Sequence, residues 1–235
     1  MKILISGTSC GVGRAAAVKY LEMGHEVVGL DIKESTITHD RYAHHICDIA
    51  NKNTLPDVTG INVLVNNAGI VTPRADAIAV NLEGYVNCVE KYGYDPELKS
   101  LLVIGSTASK KGYDNVNYNV SQGGRDALVQ WCATNFSNDE RHVLCNGLRL
   151  DGIVAADPSK GIQGTCLEPA LYEHPELMEQ IANLSSLKRL TTVEEIAEWI
   201  YFITVINTCV TGQIIDIDGE LTGAWKFIPY PGWND

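Results

Sequence analysis

The residues whose type and spacing most directly imply chemistry are three glycines, Gly7, Gly11 and Gly13, placed where a short apolar run, Ile3-Leu4-Ile5, stops. A strand that ends at glycines and passes straight into a helix aims backbone N–H groups and the positive end of the helix dipole at one point, which suits a phosphate. Gly7 and Gly11 can take backbone angles closed to other residues. Gly13, with no side chain, lets helix and strand, or helix and pyrophosphate, come close. The spacing is Gly-x3-Gly-x-Gly, unlike the Gly-x-Gly-x2-Gly of the commonest dinucleotide fingerprint, and taken alone it also fits a plain tight turn. A second apolar run, His25–Leu30, ends at Asp31, where a carboxylate can bind both ribose hydroxyls of an adenosine and repels a 2′-phosphate. The pair therefore points to NAD rather than NADP.

These residues need elements to hold them, and the chain supplies strands and helices in alternation. Tyr42–Ile49 reads as a third strand with Asp48 near its end. Ile61–Val65 is an almost unbroken β-branched run, the mark of a strand buried on both faces, and it runs into Asn66-Asn67-Ala68-Gly69. A helix is expected from about Ala75 to Tyr92, carrying Asn81, then a strand over Leu101–Gly105 ending at Ser106. An amphipathic helix follows from Tyr118 to Phe136, a sixth strand over His142–Leu150, and a last strand over Gln213–Ile217. Thr192, with Glu195 three residues on, marks a helix start. Between Ala155 and Lys188 the pattern is irregular and too long for a simple connector, which suggests a lid over a site. Repeated β-α units imply a doubly wound parallel sheet with ligands at the carboxyl ends of its strands.

Composition sets the bounds. With 235 residues, 45% hydrophobic, the chain can bury a sizeable core as one α/β domain. A net charge of −11 argues against nucleic acid and anionic membrane as partners, since there is no excess of cations to neutralise phosphates. The 7 cysteines form no C-x2-C pair and read as reduced, buried thiols, so neither a metal site nor a disulfide frame is expected, and the compartment is cytoplasmic. No apolar run reaches the roughly 20 residues that span a bilayer, and Met1 opens directly into the first strand with no signal peptide.

With these motifs in order, the chain resembles the short-chain dehydrogenase/reductase family along essentially its whole length. Ser6 to Gly13 resembles the family's cofactor loop, with Gly7, Ser9, Gly11, Val12 and Gly13 as contacts. Asp31 resembles its ribose acid, Asp48 with Ile49 its adenine side, and Asn67, Ala68 and Gly69 its Asn-Asn-Ala-Gly turn. Val80-Asn81-Leu82 and the segment from Thr211 to Gly219 match further family motifs. The resemblance implies a Rossmann-type doubly wound sheet, NAD as cofactor, a small alcohol or ketone as substrate, and a homodimer or homotetramer to which the aromatic tail Trp225–Trp233 contributes.

It also implies hydride transfer at a carbinol carbon, with Tyr118 as general acid/base, Ser106 orienting the carbonyl oxygen and Asn81 supporting a proton path. Tyr118-Asn119-Val120-Ser121-Gln122 departs from the pattern at one position: Gln122 stands where the family has lysine. A free tyrosine has a pKa of about 10 and ionises more easily beside a cation; glutamine offers none. Gln122 can still donate its amide to the nicotinamide ribose. Arg125 lies seven residues beyond Tyr118 on about the same helix face, two turns or about 10 Å away, too far for a strong effect. Asp151-Gly152 replaces the usual Pro-Gly, and Ile153 is the expected nicotinamide contact beyond it. The second reading is therefore a dinucleotide-binding protein of this fold with little or no turnover.

Overall fold

The computed structural model describes residues 1–71, 76–112, 115–154 and 174–221. Among them seven strands form one sheet: β1 (Lys2–Ser6), β2 (Glu26–Asp31), β3 (Tyr42–Ile46), β4 (Val63–Asn66), β5 (Ser100–Ser106), β6 (Leu144–Leu150) and β9 (Ile214–Ile217). Their order is β3-β2-β1-β4-β5-β6-β9, and every pair is parallel. The order reverses direction between β1 and β4, and this is where the crevice of an open α/β sheet lies.

The sheet is buried on both faces, which is why its strands read as continuous apolar runs rather than alternating ones. Ile3 and Ile5 of β1 point to one side, where they meet Ala16, Ala17 and Tyr20 of α1 (Gly11–Glu22) and Ile196 and Ile200 of the helix Val193–Tyr201. Leu4, between them in sequence, points to the other side. There it joins Tyr85 and Val89 of α2 (Gly84–Tyr92) and Leu128, Val129 and Cys132 of α3 (Val116–Phe136). A single period-two alternation thus assigns the four helices to two layers.

Several boundaries differ from the expected ones for local reasons. Helix α1, which helical patterning in the sequence places from Arg14, begins already at Gly11 because Cys10 is the extended N-cap (φ −156°, ψ 175°). Strand β3 stops at Ile46, short of Ile49, because the Asp48 backbone N–H donates to Thr54 Oγ1 at 3.1 Å and turns the chain. The helix carrying Asn81 is not uniform: Ala79–Glu83 is wound as a π-helix before α2 begins. Its expected start at Ala75 lies outside the described residues, as do residues 155–173 of the expected lid and the tail Trp225–Trp233. The described end of that lid is regular, forming helix α4 (Pro175–Leu184). Two further strands, β7 (Ile153–Val154) and β8 (Thr191–Thr192), pair in parallel apart from the main sheet. Among the described residues no cysteine forms a disulfide, and against the expectation of buried thiols Cys209 is exposed and Cys10 half-buried. Among the described residues no helix is long and apolar enough to cross a membrane, and no cluster of three or more His, Cys, Asp or Glu could hold a metal.

Helix α5 (Val193–Tyr201) opens on the expected capping box. Thr192 Oγ1 accepts from the Glu195 N–H at 3.2 Å, and Glu195 accepts from the Thr192 N–H at 3.0 Å. Hydrogen bonds from the Arg189 guanidinium hold the Glu195 carboxyl down at about 2. A folded-state value below the ordinary 4.5 means this contribution is present above pH 4.5 and is lost as pH falls toward 2. Thr192→Ala is expected to cost about 1 kcal/mol and to lower Tm by about 2–4 °C in calorimetry. The stability gap between wild type and Glu195→Gln should close over the same acid range; a gap independent of pH would rule the carboxylate out as its source.

Candidate active site

The glycine loop, the start of α1 and the turn after β4 are packed against one another without room for a side chain. Gly7 has φ 78° and Gly11 φ 58°, both in the left-handed region. A Cβ on Gly13 would lie 2.1 Å from the Gly7 carbonyl oxygen and 2.4 Å from Asn67 Nδ2, and one on Gly7 would lie 2.8 Å from Ala68 Cα. The Ser6 hydroxyl accepts from the N–H groups of Asn67 (3.0 Å) and Ala68 (3.1 Å), while Asn67 Nδ2 donates to the Ser6 and Gly7 carbonyls at 2.9 and 3.3 Å. This is bare backbone at the sheet's switch point, at the beginning of a helix, and it fits the pyrophosphate of a dinucleotide.

The acids around it are arranged as follows. Asp31, at the end of β2, accepts from the Ser9 N–H at 2.9 Å and the Lys33 N–H at 3.0 Å, so it fixes the loop as well as facing it. Asp48 is exposed and accepts from the Ala50 N–H at 2.9 Å. Two expected contacts turn their side chains inward. Ile49 packs in the core beneath Gly84, and Val12 packs beside Ile3 and Ile5. Only their backbones remain for a ligand.

Beyond the cradle, β5 ends at Ser106, whose Oγ caps the turn Thr107–Ser109 by accepting from the Ala108 N–H at 3.2 Å. Helix α3 packs against that turn and is capped by Asn115, whose side chain accepts from the Tyr118 N–H at 3.1 Å. Tyr118 is half-buried in the first turn of the helix. Asn81 is fully buried and clamps the backbone after Gly69, donating to the Ile70 carbonyl at 2.7 Å and accepting from the Ile70 N–H at 2.9 Å. The structure explains Asp151, which stands where the resemblance led to proline: Thr107 donates to it at 2.6 Å and Lys111 lies 3.6 Å away. Ile153 follows on β7, paired in register with Thr191.

Gln122 and Arg125 depart most from expectation. Gln122 is 0% exposed; its Oε1 accepts from Arg125 Nη1 at 3.3 Å and its Nε2, the group expected to meet a ribose, donates to Ser121 Oγ at 3.5 Å. Arg125 is within reach of the site after all. Long side chains on a helix point back toward its N-terminus, so the backbone separation of two turns overstates the distance from the guanidinium to Tyr118. The Arg125 guanidinium bonds the side chains of both Asn81 and Gln122, two of the residues assigned to the site. Sequence reasoning gave it no role, yet a signal was there: Arg125 falls on the same buried stripe as Gln122, Leu128, Val129 and Cys132. A charge on a core stripe is rarely left without a partner or a purpose.

Two glycines give a matched test of this packing. Gly13→Ala should abolish dinucleotide binding and destabilise the fold by about 1–3 kcal/mol through overpacking. Gly123→Ala, where a Cβ meets nothing within 4 Å on the exposed side of α3, should leave binding intact and stabilise by about 0.5–1 kcal/mol. Calorimetric titration with NAD and thermal melts of both variants check this.

Comparison with known proteins agrees with the geometry. Residues 7–222 match a family model described as enoyl-(acyl carrier protein) reductase. The chain is 25% identical over 257 residues to a glucose 1-dehydrogenase of Gluconobacter oxydans, spanning 94% of this chain and 91% of that one. Among solved structures it superposes on a 4-hydroxyisoleucine dehydrogenase complexed with NADH (TM-score 0.80, 22% identity, 95% and 99% of the two chains). It also superposes on a putative 2-deoxy-d-gluconate 3-dehydrogenase of Agrobacterium tumefaciens with bound NADP (TM-score 0.81, 21% identity, 95% and 96%). At that identity the structures speak to the fold alone, and they match its single α/β unit. The cradle, the strand-end serine, the helix-borne tyrosine and the family model agree: this chain belongs to the short-chain dehydrogenase/reductase family of oxidoreductases.

Proposed function

We propose that the protein is an NAD-dependent oxidoreductase interconverting a secondary alcohol and a ketone. The observation that carries this reading is the alignment of a dinucleotide cradle (Gly7, Gly13, Asn67, Ala68) with Ser106 and the Tyr118 turn along the same carboxyl edge of the sheet. The cofactor, when bound, supplies or accepts the hydride. The protein's own residues deal with the oxygen and its proton. Ser106 donates a hydrogen bond to the substrate oxygen, and Tyr118 takes the alcohol proton on its phenolate oxygen in oxidation or gives it up in reduction. Asn81 holds the backbone at Ile70 and thereby shapes the wall beside them. The preference for NAD rests on Asp31, whose carboxylate at the end of β2 would repel a ribose phosphate. We further propose a homodimer or homotetramer in the cytoplasm, since α3 leaves Val116, Val120 and Trp131 exposed along its outer side.

NAD should bind at least about tenfold more tightly than NADP, or about 1.4 kcal/mol; calorimetry giving equal or reversed affinities would remove the assignment. A screen of cyclohexanol, isopropanol and d-glucose with NAD is expected to find turnover that Tyr118→Phe abolishes while NAD affinity stays nearly unchanged. Turnover surviving in that variant, or absent from wild type with every alcohol tried, would favour a binding protein instead.

A further inference from the structure

The alcohol–ketone reading leaves one charge in the site unassigned. Arg125 is 5% exposed, and its guanidinium lies beneath the turn at Gly69, where an added Cβ would meet Nη2 at 3.1 Å. Nε donates to the Asn81 carbonyl at 2.6 Å, and Nη2 donates to Asn81 Oδ1 at 3.2 Å and the Ala68 carbonyl at 3.4 Å. Nη1 donates to the Ile104 carbonyl at 2.9 Å and to Gln122 Oε1 at 3.3 Å. The carbon of the guanidinium sits 3.8 Å from the centre of the Tyr85 ring. Every one of these partners is neutral, and among the described residues no carboxylate pairs with Arg125. A buried cation is expensive to keep, and without a fixed anion it favours whatever nearby group can become one.

The charged and titratable groups on the elements packed around the first turns of α3 narrow the choice. Lys110 is paired with Asp216, Lys111 lies 3.6 Å from Asp151, and Arg149 holds Asp126 at 2.8 Å and Asp216 at 3.2 Å. Tyr85 on α2 donates its hydroxyl to the Ile104 carbonyl at 3.1 Å, and burial pushes its pKa far up, so it stays neutral. Tyr118 remains: it lies one helical turn before Gln122 on the same face of α3, and Gln122 Oε1 accepts from the Arg125 guanidinium at 3.3 Å.

We propose that Arg125 is the positioning residue that replaces the missing lysine charge of this site: its buried guanidinium, held by Asn81 and Gln122, is the cation against which the Tyr118 phenol gives up its proton. Gln122 is then not a gap in the machinery but one of the carbonyls that anchor the replacement. The inference rests on the role assigned to Tyr118 above, and it can be tested without turnover.

The measurement is an alkaline ultraviolet titration of phenolate absorbance in the protein without cofactor, wild type minus Tyr118→Phe, which isolates Tyr118. The wild-type midpoint should lie about one unit or more below the free value of about 10. Arg125→Met, paired with its own Tyr118→Phe control, should raise the midpoint by about one unit or more, whereas Arg125→Lys should leave it near wild type. Alcohol oxidation in the Arg125→Met variant should fall about tenfold at neutral pH and recover as pH rises. Equal midpoints in wild type and Arg125→Met would overturn the proposal and leave Arg125 as a structural brace. Should Arg125→Met not fold, Arg125→Gln takes its place. If neither folds, a wild-type midpoint less than about one unit below 10 overturns the proposal and a lower one supports it. A midpoint that shifts as expected in a protein with no turnover would retain the Arg125–Tyr118 coupling and discard the alcohol–ketone reading.

Discussion

The contact between Gly13 and the Gly7 carbonyl governs the rest of the structure. Helix α1 can begin directly over the end of β1 only because position 13 has no side chain, and the same closeness brings Asn67 against the loop. From this follow the crevice between β1 and β4, the backbone N–H groups around it, and the packing of Ala16 and Ala17 onto Ile3 and Ile5. The site is therefore not an addition to the fold. The requirement that lets helix and sheet close also leaves bare backbone at the switch point, and a phosphate is the ligand bare backbone suits best.

The side of the sheet edge that carries Ser106 and Tyr118 is organised by a different device. Five hydrogen bonds and a ring face surround one guanidinium, which uses the full donor set of an arginine on carbonyl groups from four separate places in the chain: Ala68, Asn81, Ile104 and Gln122. Each carbonyl belongs to a segment that also bears, or adjoins, a residue of the candidate site. The turn after β4, the π-wound segment, the end of β5 and the first turns of α3 are thus held to a common centre. A lysine, with one point of charge on a flexible stem, could not link so many acceptors.

Much of this was legible in the sequence, and the parts that were not share a cause. Runs such as Ile61–Val65 announced a parallel sheet because burial on both faces leaves no polar alternation, and Thr192 with Glu195 announced a helix start because a capping box needs only local spacing. Gly7 and Gly13 were readable because the demand on them is steric. Arg125 was weighed only against Tyr118 along the helix axis, and its bonds to Asn81, Ile104 and Gln122 depend on an inward side-chain direction that spacing does not give. Gln122 was read by what it lacks, since its partner is a residue whose inward orientation appears only with the fold. The turn of Ile49 and Val12 into the core, and the bond from Thr107 to Asp151, likewise depend on tertiary packing that no local pattern encodes.

The π-wound segment Ala79–Glu83 has a consequence of its own. Such a turn holds one more residue than an α-turn while the helix runs on in the same direction, so the residues after it are rotated by about 100° relative to an uninterrupted helix. Asn81 sits inside that insertion, while Tyr85 and Val89 face the sheet from the regular helix beyond it. The polar clamp and the apolar stripe therefore keep separate phases on one rod. Any alignment of this chain to a relative with a plain α-helix here must place a one-residue gap within these five positions, or it will mismatch either the asparagine or the core.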